Sequence, residues 1–131
     1  MKYLCIDYGA RRVGVAVSDA EGGIAFPRAV LANTDALIGE IAAVVTRERV
    51  EKIIIGDTRA VGGGANPVTH EAEAFARDLG NVTAVPVEMM WEAWSSIEAS
   101  RYAPEGKGHD DSSAAAVILQ RYLDMRGNTV Q

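Results

Sequence analysis

Apolar and polar positions fall into blocks from the first residues onward. Tyr3-Leu4-Cys5-Ile6 is unbroken and apolar, the pattern of a strand covered on both faces, and it ends at Asp7. Val13-Gly14-Val15-Ala16-Val17 is β-branched at alternate positions, which predicts a strand with one face against a core. Tyr8 to Arg12 between them reads as a hairpin loop. A third strand is expected from about Ile24 to Leu31, with Pro27 placing it at an edge or bending it. Asn33-Thr34 offers a helix cap. Leu37, Ile41, Val44 and Val45 then form a helical stripe running to about Arg49.

The second half alternates strands and helices. Lys52 to Gly56, "KIIIG", reads as a buried parallel strand, and the Gly-rich loop "DTRAVGGGANP" follows. Asn66 as cap and Pro67 at the first helical position start a second helix that ends near Gly80. "VTAVPVEMM" reads as another strand, and Ser95-Ser96-Ile97-Glu98 has the capping-box form that opens a third helix. "APEGKGHDD" is a loop, and Asp110 or Asp111 opens a last helix through Met125. Residues 1–126 are therefore expected to form one domain, with 127–131 a frayed tail. The order β-β-β-α-β-α-β-α-α is a meander followed by βαβ units. It predicts an α/β fold: a mixed five-stranded sheet with helices on both faces.

Composition narrows the class. The 131 residues are 48% hydrophobic and 24% charged, which suits one globular domain rather than a disordered chain. No apolar run approaches the roughly 20 residues of a membrane helix. The N-terminus enters a strand directly, with no signal-peptide pattern. The single cysteine, Cys5, lies inside an apolar strand and suits a reducing compartment, so a cytoplasmic protein is expected. A net charge of −5 argues against non-specific coating of nucleic acid, although an acidic metal site would itself make the total negative.

In open sheets of this kind the functional cleft lies beyond the carboxyl ends of the parallel strands. Asp7, Asp57 and Glu92 all fall at or just past such ends, and Asp111 falls at the start of a helix that must pack back on the sheet. An unpaired carboxylate buried at a strand end costs several kcal/mol. Asp7 therefore pairs with an arginine or faces a cleft and holds a cation. Clustered carboxylates raise one another's pKa unless a cation joins them, and Mg²⁺ or Mn²⁺ prefers such hard oxygen donors. Two such ions about 4 Å apart can activate a water and stabilise a leaving oxygen in phosphodiester cleavage. Asp57 is more readily explained by turn chemistry.

Two segments carry a family resemblance. "CIDYGARRVGVAVSD" and "AAAVILQRYLD" are similar to the opening motif and closing helix of the YqgF or RuvX family, whose members are pre-16S rRNA nucleases and Holliday-junction-resolvase-like proteins of RNase H-like fold. The resemblance covers nearly the whole chain. It implies that Asp7, Glu92 and Asp111 are the catalytic, metal-binding acids, with Mg²⁺ or Mn²⁺ as cofactor and Asp110 adjacent. It also implies a substrate of structured RNA such as pre-rRNA, or branched DNA. The family's second motif has the form D-E-R-L-T-T. Here "WEAWSS" keeps Glu92 and the hydroxyl pair Ser95 and Ser96, but puts Trp91 for Asp and Ala93 for Arg. The loop after Gly56 lacks the family's proline and following acid. The acids are retained; the surroundings that would contact substrate are altered.

Other residues carry two readings each. Arg11, Arg12 and Arg59 are either solvated surface charge or phosphate contacts beside the metals. Gly62-Gly63-Gly64 either lets a nucleic-acid backbone approach or is a plain loop. His109 either helps proton transfer to a leaving group or pairs with its acidic neighbours. Trp91 and Trp94 either stack on bases or pack at a strand end, and nothing distinguishes His70 from a surface residue. Two other classes compete with a nuclease. One is an actin-like or sugar-kinase-like ATP-binding domain, whose first phosphate hairpin "IDYGARRVGVAVSD" also resembles; that fold needs two domains, and the length argues against it. The other is a catalytically silent nucleic-acid-binding module on the same fold. Both a monomer and a homodimer are compatible with the sequence.

Overall fold

The computed structural model describes residues 1–56, 67–90 and 111–129; at 67–70, 111–112 and 126–129 it describes the backbone alone. Five strands are present: β1 Tyr3–Asp7, β2 Arg12–Ser18, β3 Ala25–Ala32, β4 Lys52–Gly56 and β5 Val87–Met90. The helices among the described residues are α1 Leu37–Glu48, α2 Pro67–Thr83 and α3 Asp111–Thr129. The sheet order is β3-β2-β1-β4-β5. The meander pairs antiparallel, and β4 joins β1 and β5 in parallel. This is the mixed five-stranded α/β sheet that the order of elements predicts.

Each face of the sheet carries its own core. Leu4, Ile6 and Tyr8 of β1 and its extension join Val13, Val15, Val17, Ile53 and Ile55 beneath α1 and α2. From α1 come Leu37, Ile41, Val44 and Val45, the stripe seen in the sequence; from α2 come Ala72, Phe75, Ala76 and Leu79. On the other face, Tyr3, Cys5, Ala16 and Ile54 pack under Ala115, Ile118, Leu119, Tyr122 and Leu123 of α3. Each fully buried leucine or isoleucine contributes about 2 kcal/mol of hydrophobic stabilisation. The pattern of β2 predicts one covered face, but both are covered. Gly14 and Ala16, on the side away from the valines, are buried too. Their small size leaves room for α3.

Four boundaries differ from the sequence reading. Asn33-Thr34 does not cap α1: the cap position is Ala36, without a side-chain cap, and Thr34 forms the preceding turn by accepting the Leu37 N–H on its carbonyl at 3.0 Å. The helix α2 continues past Gly80 to Thr83, whose hydroxyl donates back to the Leu79 carbonyl at 2.8 Å, and Ala84 follows at φ 59°. Consequently β5 begins at Val87 rather than Val82. The closing helix runs through Thr129, into the stretch expected to fray. The expected helix at Ser95 lies outside the described residues.

Pro27 behaves as anticipated. It sits in the edge strand β3, and the register slips there: Val15 faces Ala29 while Ala16 faces Pro27, leaving Arg28 as an inserted residue. Arg28 reaches α1 and pairs with Glu48 at 2.6 Å. In the turn between β2 and β3, Gly22 has φ 73° and lies against the start of β1: a Cβ there would stand 2.9 Å from both the Met1 carbonyl and the Tyr3 ring. Among the described residues no helix is long and apolar enough to cross a membrane.

Candidate metal and nucleic-acid site

The three parallel strands end level with one another. Asp7 of β1 is in register with Gly56 of β4, and Gly56 with Met90 of β5. Asp7 is 3% exposed. Alternation along β1 sends Leu4 and Ile6 to the α1–α2 core and Tyr3 and Cys5 to the α3 core, so Asp7 lies on the α3 side. A carboxylate brought to the rim of a buried strand supplies the hard oxygen that a divalent cation prefers. It also bears on its neighbour. Burial pushes the Cys5 thiol well above its ordinary value, and the charge of Asp7 pushes it further. Cys5 is thus unfit as a nucleophile, as its place in an apolar run suggests.

The helix α3 is oriented by three contacts. A Cβ on Gly56 would stand 3.0 Å from Ile118 Cγ2, so Ile118 lies directly over the end of β4. Four residues later the Tyr122 ring meets the Tyr3 ring at the start of β1, centroids 5.8 Å apart. Gln120 accepts the Ala25 N–H at 2.9 Å and donates to the Gly23 carbonyl at 3.0 Å. The helix therefore runs antiparallel to β1, and its first residue, Asp111, belongs to the end of the sheet where Asp7 lies. Asp111 precedes Ile118 by roughly 10 Å along the helix axis. At the far end, Tyr122 donates to Glu88 at 3.0 Å, and Glu88 pairs with Lys52 at 2.7 Å.

The β1–β2 loop is held on three sides. The Tyr8 N–H donates to the Gly56 carbonyl at 3.3 Å, and the Tyr8 ring packs on Phe75 with centroids 5.1 Å apart. Asn33, just past β3, donates from Nδ2 to the Gly9 carbonyl at 2.7 Å and from its backbone N–H to the Arg11 carbonyl at 2.9 Å. Arg11 and Arg12 are exposed and follow this pinned segment. The sequence reading assigned Asn33 to a helix cap; its bonds to the loop depend on the β3 register and leave no trace in a local pattern.

Of the residues singled out in the sequence, Asp7, Arg11 and Arg12 are brought to one end of the sheet, and the backbone of Asp111 starts a helix there. Glu92, Arg59, Ser95, Ser96, His109 and Asp110 lie outside the described residues, as do Asp57, Trp91, Ala93, Trp94 and Gly62 to Gly64. Among the described residues no three His, Cys, Asp or Glu side chains converge to hold a metal.

The fold is similar to that of solved resolvases. The RuvC of Thermus thermophilus in complex with a Holliday junction superposes with a TM-score of 0.65 at 14% identity, covering 98% of each chain. The fowlpox virus Holliday junction resolvase gives 0.56 at 15% identity, covering 95% of this chain and 99% of that one. At such identities the likeness bears on the fold, which is RNase H-like. Closer in sequence, a protein of Nitratidesulfovibrio vulgaris named "Putative pre-16S rRNA nuclease" is 42% identical over 132 residues, 94% of this chain and 93% of its own. One of the same name from Oleidesulfovibrio alaskensis is 35% identical over 134 residues, covering 95% and 93%. The model of the RuvX family, described as Holliday junction resolvase, matches residues 1–125, and this chain belongs to that family.

Proposed function

We propose that this chain is a metal-dependent endonuclease that hydrolyses phosphodiesters in structured nucleic acid, with the 5′ end of pre-16S rRNA as its substrate. The observation that carries the reading is the buried Asp7 at the level end of three parallel strands, with the first turn of α3 at the same end. Asp7, Glu92 and Asp111 would hold Mg²⁺ or Mn²⁺. Bound there, one or two such ions supply an activated water and neutralise charge developing on the scissile phosphate. The chain's own groups do the rest. Arg11, Arg12 and Arg59 take phosphate oxygens, to which the arginine fork is matched, and the Ser95 and Ser96 hydroxyls add hydrogen bonds to the backbone. Asp110 adjoins Asp111 in sequence and His109 precedes them, and His109 would pass a proton to the leaving oxygen. The names of the curated relatives favour RNA, and such a protein would act in the cytoplasm.

The description of the family supports a second reading, a nuclease of branched DNA. One experiment separates them. The protein is incubated with a precursor 16S rRNA fragment and with a four-way DNA junction, each with Mn²⁺ and with chelator. Metal-dependent cleavage of the RNA, lost in Asp7→Asn, supports the first reading, and cleavage of the junction alone supports the second. Binding of both with cleavage of neither under any metal makes the chain a silent binding module.

A further inference from the structure

We propose that Asn33 is a positioning residue for substrate binding: it pins the β1–β2 loop so that Arg11 meets a phosphate next to Asp7. The two bonds from Asn33 bracket the loop. Its side-chain amide holds the Gly9 carbonyl at 2.7 Å, and its main-chain N–H holds the Arg11 carbonyl at 2.9 Å. Gly9 itself is buried, whereas Ala10, Arg11 and Arg12 are exposed. The loop is thus anchored at its root and presents its charge to solvent. Its other restraints, the Tyr8 N–H on the Gly56 carbonyl and the Tyr8 ring on Phe75, act at the side nearest Asp7. A loop ordered before binding loses less conformational freedom when its arginine engages a phosphate. Asn33 does this from just past the end of β3, the edge strand that β2 separates from β1.

The inference rests on the proposed contact between Arg11 and phosphate, and the test keeps the two apart. Binding of the precursor rRNA fragment and of the four-way junction is measured in chelator across a salt series for wild type, Arg11→Ala, Asn33→Asp and the double variant. Asp keeps the size of the side chain and its acceptors but cannot donate to the Gly9 carbonyl. Loss of one phosphate contact lowers the log–log salt slope by roughly 0.7 to 0.9. Arg11→Ala and Asn33→Asp should each do so, and the double variant should match Arg11→Ala alone. A slope unchanged in Asn33→Asp but lowered in Arg11→Ala overturns the positioning role and leaves the contact standing. A slope unchanged in Arg11→Ala, or no binding by the wild type, overturns both. Asn33→Ser, uncharged and too short to reach the Gly9 carbonyl, is the second variant and should lower the slope as Asn33→Asp does; a slope lowered in Asn33→Asp but not in Asn33→Ser comes from the added negative charge and overturns the positioning role. If neither it nor Asn33→Asp folds, Asn33 is a structural residue and the proposal is overturned.

Discussion

Ile118 occupies the space over Gly56 in which a side chain would otherwise stand, with Cγ2 3.0 Å and Cδ1 3.1 Å from the position of a Cβ. Gly56 is the in-register neighbour of Asp7, so this contact sets how closely α3 approaches the rim that carries the acid. Ile118 is itself 1% exposed and has little room to retreat.

Gly56→Ala should therefore overpack the junction of α3 with β4 and cost about 1–3 kcal/mol in urea denaturation. Adding Ile118→Val removes Cδ1 and should recover part of the loss. Strictly additive costs for the two substitutions would show that they do not compete for the same space.

Divalent metal should raise the melting temperature of the wild type, since a ligand that binds only the folded state stabilises it, by roughly 2.7 kcal/mol at a hundredfold excess over Kd. The rise should vanish in Asp7→Asn. A calorimetric scan with Mg²⁺ or Mn²⁺ that shows equal shifts in both proteins removes Asp7 from the site.

Glu48 should make stability fall in acid. Burial raises its carboxyl, but Lys2 at 3.1 Å and Arg28 at 2.6 Å outweigh burial and hold it below its ordinary value of 4.5. A group depressed on folding contributes its stability above the unfolded value, and loses it as pH falls through the folded one. Glu48→Gln should cost about 1 kcal/mol at pH 7, and the difference from wild type should shrink as pH falls below 4.5. A difference that stays constant as the carboxyl becomes protonated would point to packing instead of charge.

Cys5 should be inert in the native state. It is fully buried, and both burial and Asp7 oppose the thiolate. Labelling with a thiol reagent at pH 8 should proceed only through unfolding and follow the global stability. Rapid labelling of folded protein would show that the α3 face opens locally.

The sequence by itself determined the described strands and helices and their order. β-branched alternation and an unbroken apolar run specify strands, and the spacing of Leu37, Ile41, Val44 and Val45 specifies a helix, because these periods are properties of local backbone geometry. It also marked Pro27 as a residue of an edge or a bend, since a missing N–H is tolerated at edges and bulges. Asp7 stood out for the same kind of reason: an acid at the end of a buried run needs an explanation that a surface acid does not. What only the tertiary structure decided depends on partners distant in the chain. The second face of β2 is covered because α3, about a hundred residues later, lies across Gly14 and Ala16. Asn33 reads as a cap from its neighbours and becomes a loop anchor once β3 aligns it with Gly9 and Arg11. Gly56 reads as the end of a strand, and the approach of Ile118 makes it a place where even a methyl group forces that side chain to shift. Local periodicity reports which face of an element is apolar; what comes to cover that face is settled by long-range packing.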